Sequence, residues 1–331
     1  MAIVGNTYLS LADVFKRQDG KKQIARIIEL LAQTNEVMDD LIAVECNDGT
    51  THLTTMRTGL PNAVFRRLYQ AVQPSKSTTK QVKDATGMAE AWSEIDAKLV
   101  DISGDKAGLR LSEASAFLEA LNQAVCQRIF YGNTVTDPQE FLGLSPRFGS
   151  LTAENGQQII DAGGTGSDNT SIWFVVWGEN TVHGLYPKGT QGGLQRDDKG
   201  KQTKDTEDGV YDVYREKFTW DIGMSVRDWR YVSRIANVDV NDMQAGSVKL
   251  YDFMRKAYYR LRQRKVIGGR AAIYCNRDVL ESLDALATNA GASDSFVRLR
   301  PMEIEGKEVL SYRGIPIRQV DALLNTEARV V

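Results

Sequence analysis

Residues 172–177 read Ile172-Trp173-Phe174-Val175-Val176-Trp177, six apolar side chains in succession. A run this short, aromatic and β-branched is a strand rather than a helix. With no polar residue alternating in it, it is buried on both faces. Such a strand needs packed layers above and below it. The chain has 331 residues, 42% of them apolar, enough for a sizeable core in one large domain or two coupled ones.

Working outward toward the C-terminus, residues 187–209 hold Pro187, several glycines and charges from Arg196 onward, and are expected to be a loop. Residues 210–236 alternate as strands, with Val210, Asp212 and Tyr214 against Tyr211, Val213 and Arg215. Asn241 and Gln244 are expected to open a helix of about 20 residues, with Leu250, Met254, Ala257, Tyr258 and Leu261 as its core stripe. Ala271 to Cys275 reads as a short strand, and Asn276 caps a helix running to about Leu286. The stretch 302–320 reads as paired strands around Tyr312-Arg313-Gly314-Ile315-Pro316-Ile317.

Toward the N-terminus, residues 137–170 are rich in Gly, Pro, Asn and Ser, hence loop. Before them the spacing predicts a helix over 112–131 with Ser112 as N-cap. Ala114, Leu118, Leu121, Val125 and Ile129 share its apolar face, and Gly132-Asn133 stops it. Residues 46–98 differ in character. Asn47-Asp48-Gly49 and Gly59-Leu60-Pro61-Asn62 are turn chemistry, and Thr50, Thr51, Thr54, Thr55, Thr58, Thr78 and Thr79 favour half-buried strands. This is the pattern of a long, thinly packed hairpin. Residues 10–42 read as helical, interrupted at Gly20, with Ile24, Ile27, Ile28, Leu31, Met38 and Ile42 in one stripe. The fold class is α+β.

Net charge is −2 and the isoelectric point about 5.9, which argues against a dedicated nucleic-acid binder. Cys46, Cys126 and Cys275 are odd in number and far apart, unlike a disulfide framework or zinc site, and suit buried thiols in a reducing cytosol. No apolar run is long enough to cross a membrane, and the N-terminus has neither a basic nor an apolar segment of a signal peptide. His52 and His183 lie in turn-rich or strand-end settings without a triad around them. Gly163-Gly164-Thr165-Gly166 and Gly189-Thr190-Gln191-Gly192-Gly193 lack the Lys-Ser/Thr ending and strand–helix context of phosphate loops. The acids of 197–216 are mixed with Lys199, Lys201 and Lys204, as on a solvated loop. No catalytic, cofactor-binding or metal-binding residue is expected, and the chain reads as a non-enzyme.

Thr58-Gly59-Leu60-Pro61, the string from Trp177-Gly178-Glu179-Asn180 to Tyr186-Pro187, Arg227-Asp228-Trp229-Arg230-Tyr231-Val232 and Ile235-Ala236-Asn237 stand in order along the chain. Together they resemble a short-tailed-phage branch of the major capsid proteins. Tyr312 to Ile317 resembles the Gly-hydrophobic-Pro-hydrophobic ending common in such subunits. The resemblance implies a Hong Kong 97-type capsid fold. Residues 1–45 would form an N-terminal arm and helix, 46–98 an extended hairpin called the E-loop, and 99–239 a peripheral domain with its spine helix near 112–131. Residues 240–300 would form an axial domain, with 301–331 returning to the peripheral one. It implies self-assembly through hexamers and pentamers into an icosahedral shell around double-stranded DNA, in a virion made in the host bacterial cytoplasm. Scaffolding, portal and decoration proteins are implied partners. No long charged coiled-coil segment stands at the N-terminus, which points to a separate scaffolding protein, if one is used at all. The competing readings are another virion part, such as a decoration or portal protein, and an α+β enzyme with carboxylate chemistry.

Two basic groups are the candidate contact residues. From Gly49 to Lys83 there is no Asp or Glu, while Arg57, Arg66, Arg67, Lys76, Lys80 and Lys83 give the hairpin a local charge of +6. The ordinary reading is a solvated arm that resists edge-to-edge aggregation. The sharper one is docking on an acidic surface of a neighbouring subunit, either 197–216 or the acids from Asp84 to Asp105. The second group, Arg255, Lys256, Arg260, Arg262, Arg264 and Lys265, is expected on one helix, where the ordinary reading is a solvated face and the sharper one is contact with DNA or another subunit.

Overall fold

The computed structural model describes residues 8–11, 13–14, 32–207, 209–288, 299–304 and 307–331. The expected stripe from Ile24 to Leu31 lies outside them. In the described part of 10–42, Leu11, Asp13 and Val14 are helical, and near Met38 a single turn, α1 (Val37–Asp40), is helical, with Ile42 outside it.

The chain continues through β1 (Ala43–Glu45), β2 (Thr51–Gly59) and β3 (Thr78–Asp96), then α2 (Ala97–Ile102), α3 (Lys106–Tyr131) and α4 (Leu144–Arg147). Next come β4 (Ile159–Asp161), β5 (Asn169–Trp177), β6 (Val182–Tyr186), β7 (Gln195–Thr206), β8 (Gly209–Val226) and β9 (Val232–Asp239). Helices α5 (Val240–Gln244) and α6 (Leu250–Arg260), β10 (Arg270–Cys275), α7 (Arg277–Thr288), β11 (Arg300–Ile304), β12 (Lys307–Tyr312) and β13 (Ile315–Gln319) complete it. The strands join in the order β11-β12-β13-β10-β5-β6-β8-β3-β2. To this path β9 adds beside β5, β4 beside β9, β7 beside β8 and β1 beside β6.

Strand β5 is buried along its whole length, as its sequence requires. Trp173, Val175 and Trp177 pack on one face with Val125, Cys126, Ile129 and Phe130 of α3. Ile172, Phe174 and Val176 pack on the other with Leu250, Met254 and Ala257 of α6 and Val279 and Leu283 of α7. The sheet is thus covered on both sides.

Three expectations need correction. The helix expected at 112–131 begins at Lys106, and its N-cap is Asp105, whose Oδ1 accepts a 2.8 Å bond from Gly108 N. Ser112 is well inside it. Gly108 looks like a breaker but lies beneath the capping carboxylate, where a Cβ would collide with Asp105.

The expected loop at 187–209 contains β7, paired with β8 from Gln195↔Thr219 to Thr206↔Gly209. This edge strand is exposed on both faces, so it shows no apolar alternation. Cross-strand polar pairs hold it instead, including Lys201–Asp212 at 2.8 Å and Arg196–Glu216 at 2.7 Å.

The single helix expected after Asn241 is two. Asp239 caps α5, and Gly246 at φ +72° takes the left-handed conformation that ends it.

Candidate assembly surface

The arm is the hairpin of β2 and β3, registered from Thr51↔Ala85 to Gly59↔Thr78. Beyond Gly59 the chain runs through 60–77 without regular structure. It is tied by few bonds, such as Ser75 Oγ to Asn62 O at 3.2 Å and Gln70 N to Arg67 O at 3.2 Å. Phe65 and Tyr69 are each 105% exposed, and Leu60, Val64 and Leu68 are exposed beside them. Tyr69 also has φ +65°, a costly conformation for an aromatic residue. Large apolar side chains clustered on an arm with no core beneath them mark a contact surface.

Of the basic residues, Arg66, Arg67 and Lys76 lie in this tip, while Arg57 is on β2 and Lys80 and Lys83 are on β3. Arg57, Arg66, Arg67, Lys76 and Lys80 are exposed and form no ion pair among the described residues, whereas Lys83 bonds Asp48 at 3.0 Å. The acids considered as their docking surface are engaged inside the chain. Asp84 binds Arg147 at 2.7 Å, Glu90 binds Lys217, and Glu94 binds Lys204 and Arg215. Asp96 caps α2 and Asp101 pairs with Lys106. In the 197–216 stretch, Asp197 pairs with Lys199 and Asp212 with Lys201. Asp198 and Glu216 both bind Arg110 of α3, at 2.7 and 2.6 Å, and that guanidinium holds the Asp198 carboxyl below its usual range. Within that stretch, the β7–β8 turn leaves Asp205 and Glu207 exposed.

The second basic group does not lie on one helix. Arg255, Lys256 and Arg260 are on α6, with Arg255 paired to Asp252 at 3.0 Å. Leu261, buried at the helix end, turns the chain into an extended path, and Arg262 N bonds Arg230 O at 3.0 Å. Arg262 then pairs with Asp228, and Arg264 stacks on Tyr258 at 4.5 Å. Lys265 is exposed on the same segment.

Behind the surface lie buried polar groups that the sequence reading did not single out. Arg234 of β9 donates to Glu327 Oε2 at 2.8 Å, to Ser171 Oγ at 3.0 Å and to Phe148 O at 2.8 Å. Tyr131 and Ser171 complete the Glu327 carboxylate at 2.5 Å each. Asp40 accepts from Tyr274, which accepts from Trp177 Nε1, and Arg318 provides the counter-charge. The available signal was Arg234 as the only charge in the stretch Val232–Val238, which demands a buried partner if that strand is buried. The identity of that partner, 93 residues away, is not written locally.

A family model described as major capsid protein GP7 matches residues 19–331. A chain in the near-atomic structure of bacteriophage epsilon15, derived from cryo-EM, is 40% identical with a TM-score of 0.77. The match covers 100% of this chain and 99% of that one. Looser likenesses include the capsid of the native GTA particle, with 10% identity, TM-score 0.45 and coverage of 65% and 94%. The capsid of Myoviridae phage XM1 gives 11% identity, TM-score 0.43 and coverage of 65% and 96%. No significant match is found among curated proteins.

Proposed function

The chain belongs to the major capsid protein GP7 family, and from that premise we propose how its parts serve as a structural subunit of an icosahedral phage shell. Its α+β body has the Hong Kong 97-type fold. In this reading residues 46–98 are the E-loop, 99–239 and 301–331 the peripheral domain with α3 as its spine, and 240–300 the axial domain. Hexamers and pentamers of the chain enclose double-stranded DNA. Arg255, Lys256 and Arg260 are the side chains best placed for non-specific, salt-sensitive phosphate contact, since they project from one exposed helix. Scaffolding, portal and decoration proteins are the further partners.

The observation that carries the arm's role is its tip. Phe65 and Tyr69 have no intramolecular neighbour to bury them, and a neighbouring subunit supplies one. Burying a large apolar side chain contributes about 1.5–3 kcal/mol, while an exposed ion pair contributes about 0–1 kcal/mol. Most acids near the arm already have partners, so the apolar residues hold the contact and Arg66 and Arg67 steer its register.

The test is assembly of the full chain, followed by light scattering and electron microscopy. Wild type should give shells, tubes or capsomer rings. Arg66→Glu with Arg67→Glu should stay folded but assemble more slowly, and added salt should narrow the difference. Equal rates at low salt would show the cations to be only solvated. A monomer under every salt and scaffold condition would overturn the shell reading.

A further inference from the structure

The arm meets the body at a cluster of buried polar side chains from several elements. His52 and Thr54 come from β2, Asp84 from β3, His183 from β6 and Ser225 from β8. All are buried, and His183 and Ser225 are wholly so. The two imidazoles stand edge to face with centroids 5.5 Å apart. Across the ladders, His52 is opposite Asp84, and His183 is opposite Ser225.

The cluster is under-bonded. Among the described residues, neither ring nitrogen of His183 meets a hydrogen-bond partner, nor do His52 Nδ1, Thr54 Oγ1, Asp84 Oδ2 or Ser225 Oγ. One strong bond crosses the joint, from Arg147 Nη2 of α4 to Asp84 Oδ1 at 2.7 Å, and the same nitrogen donates to Met224 O at 3.1 Å.

The charges facing the imidazoles come from each neighbouring element. Arg227 opposes a proton on either ring, and Asp84, which would favour one, is already paired with Arg147. On the β1 side, the Glu45 carboxylate is turned to Gly189 N, and burial pushes the Cys46 thiol up to about 11, so it is neutral. Asp48 and Lys83 at the arm's edge pair with each other. A proton added to either imidazole therefore adds to the charge of Arg227 in a buried site whose anion is already paired. Neutral imidazoles can sit there, and imidazolium ions cannot without opening it.

We propose that this cluster is a proton-operated joint: with both histidines neutral the arm root is seated on the body, and protonation unseats the arm while the body stays folded. The joint belongs to the single subunit and does not depend on the shell reading. Burial, then the nearby His52 and Arg227, lower the His183 pKa to about 4, and burial also lowers that of His52. For a group whose folded pKa is depressed, the seated state is fully favoured above the ordinary value near 6.5. It loses that advantage as pH falls through 4 and levels off about a unit below, where both states are protonated.

The chain has two histidines, so their ring protons can be followed directly by NMR in the unassembled full-length subunit. At least His183 should titrate well below the ordinary histidine range. In parallel, amide exchange corrected for intrinsic rates compares the arm-root segments 51–59 and 78–85 with 169–177 between pH 7 and 4. Arm-root protection should fall by about 100-fold at pH 4, out of the roughly 300-fold that the full 2.5-unit displacement allows at lower pH, while 169–177 is unchanged. His183→Phe, which keeps a flat ring without a proton site, should remove most of that dependence. Both histidines titrating near 6.5, loss of protection at the root and at 169–177 in one step, or an unchanged pH response in His183→Phe would each overturn the proposal.

Discussion

Replacing Glu327 by Gln is a sharp test of how the C-terminal segment is held. Glu327 is 7% exposed, and its carboxylate faces Arg234, itself 2% exposed, from 2.8 Å. It also receives the hydroxyls of Tyr131 and Ser171, and Tyr131 Oη in turn accepts from Leu324 N at 3.0 Å. Glu327→Gln keeps the shape but removes the only anion bonded to Arg234 among the described residues. It also brings an amide donor against groups that already donate. Breaking a buried pair from one side costs about 3–5 kcal/mol, because the remaining charge is left without compensation. That is a large part of the roughly 5–15 kcal/mol by which domains are stable. With a urea dependence of about 3 kcal/mol per molar, the unfolding midpoint of the unassembled subunit should drop by about 1–1.7 M. Adding Arg234→Met, which removes the orphaned charge and keeps an apolar stem over Trp173, should recover part of the loss. A loss under about 1 kcal/mol in Glu327→Gln would refute the view that this pair is dry and mutually dependent.

Gly314 sits at φ +80° after Arg313 at φ +52° in the two-residue turn between β12 and β13. Gly314→Val should therefore lower stability by about 1–3 kcal/mol, measured by thermal unfolding, and well-folded subunits that merely fail to form shells would contradict this. Asp105→Ala removes the cap of α3 and should cost about 1 kcal/mol in urea titration, with Asp105→Asn close to wild type. Phe65→Ser combined with Tyr69→Ser should leave the unfolding midpoint of the isolated subunit within about 0.5 kcal/mol, yet raise the concentration needed for assembly by light scattering.

The parts of this fold written locally were readable. Strand β5 announces its burial because every residue of 172–177 must leave water, and the packing on both faces follows. The arm was readable from threonine clustering and from the absence of acids over 49–83. What escaped depends on distant partners. Strand β7 looks like a polar loop until β8 supplies Asp212 and Glu216 as cross-strand partners. The start of α3 was obscured because Gly108 normally breaks helices, and its tolerance depends on the Asp105 side chain folding over it. At the candidate surface, sequence charge drew attention to Arg66 and Arg67 while Phe65, Leu68 and Tyr69 went unremarked and Leu60 was read only as part of a turn. They carry no helical or strand period, and only their exposure shows that they have nothing to pack on.

Strand β3 is 19 residues of unbroken chain, about 60 Å at the usual rise, and it belongs to both arm and body. Its body half is laddered to β8 from Thr86↔Gly223 to Asp96↔Val213, and Asp96 then caps α2 ahead of α3. Bonds between antiparallel strands lie across the strand axis. A pull on the arm tip along β3 therefore loads that whole ladder in shear, all pairs together, and delivers the tension to the start of α3. Strand β2 is laddered only to β3 among the described strands and otherwise meets the body through side chains such as His52, without a ladder to resist shear. Under mechanical load the hairpin behaves as a tie-rod with a strippable sleeve: β2 can slide or peel while β3 keeps the tip connected to the body.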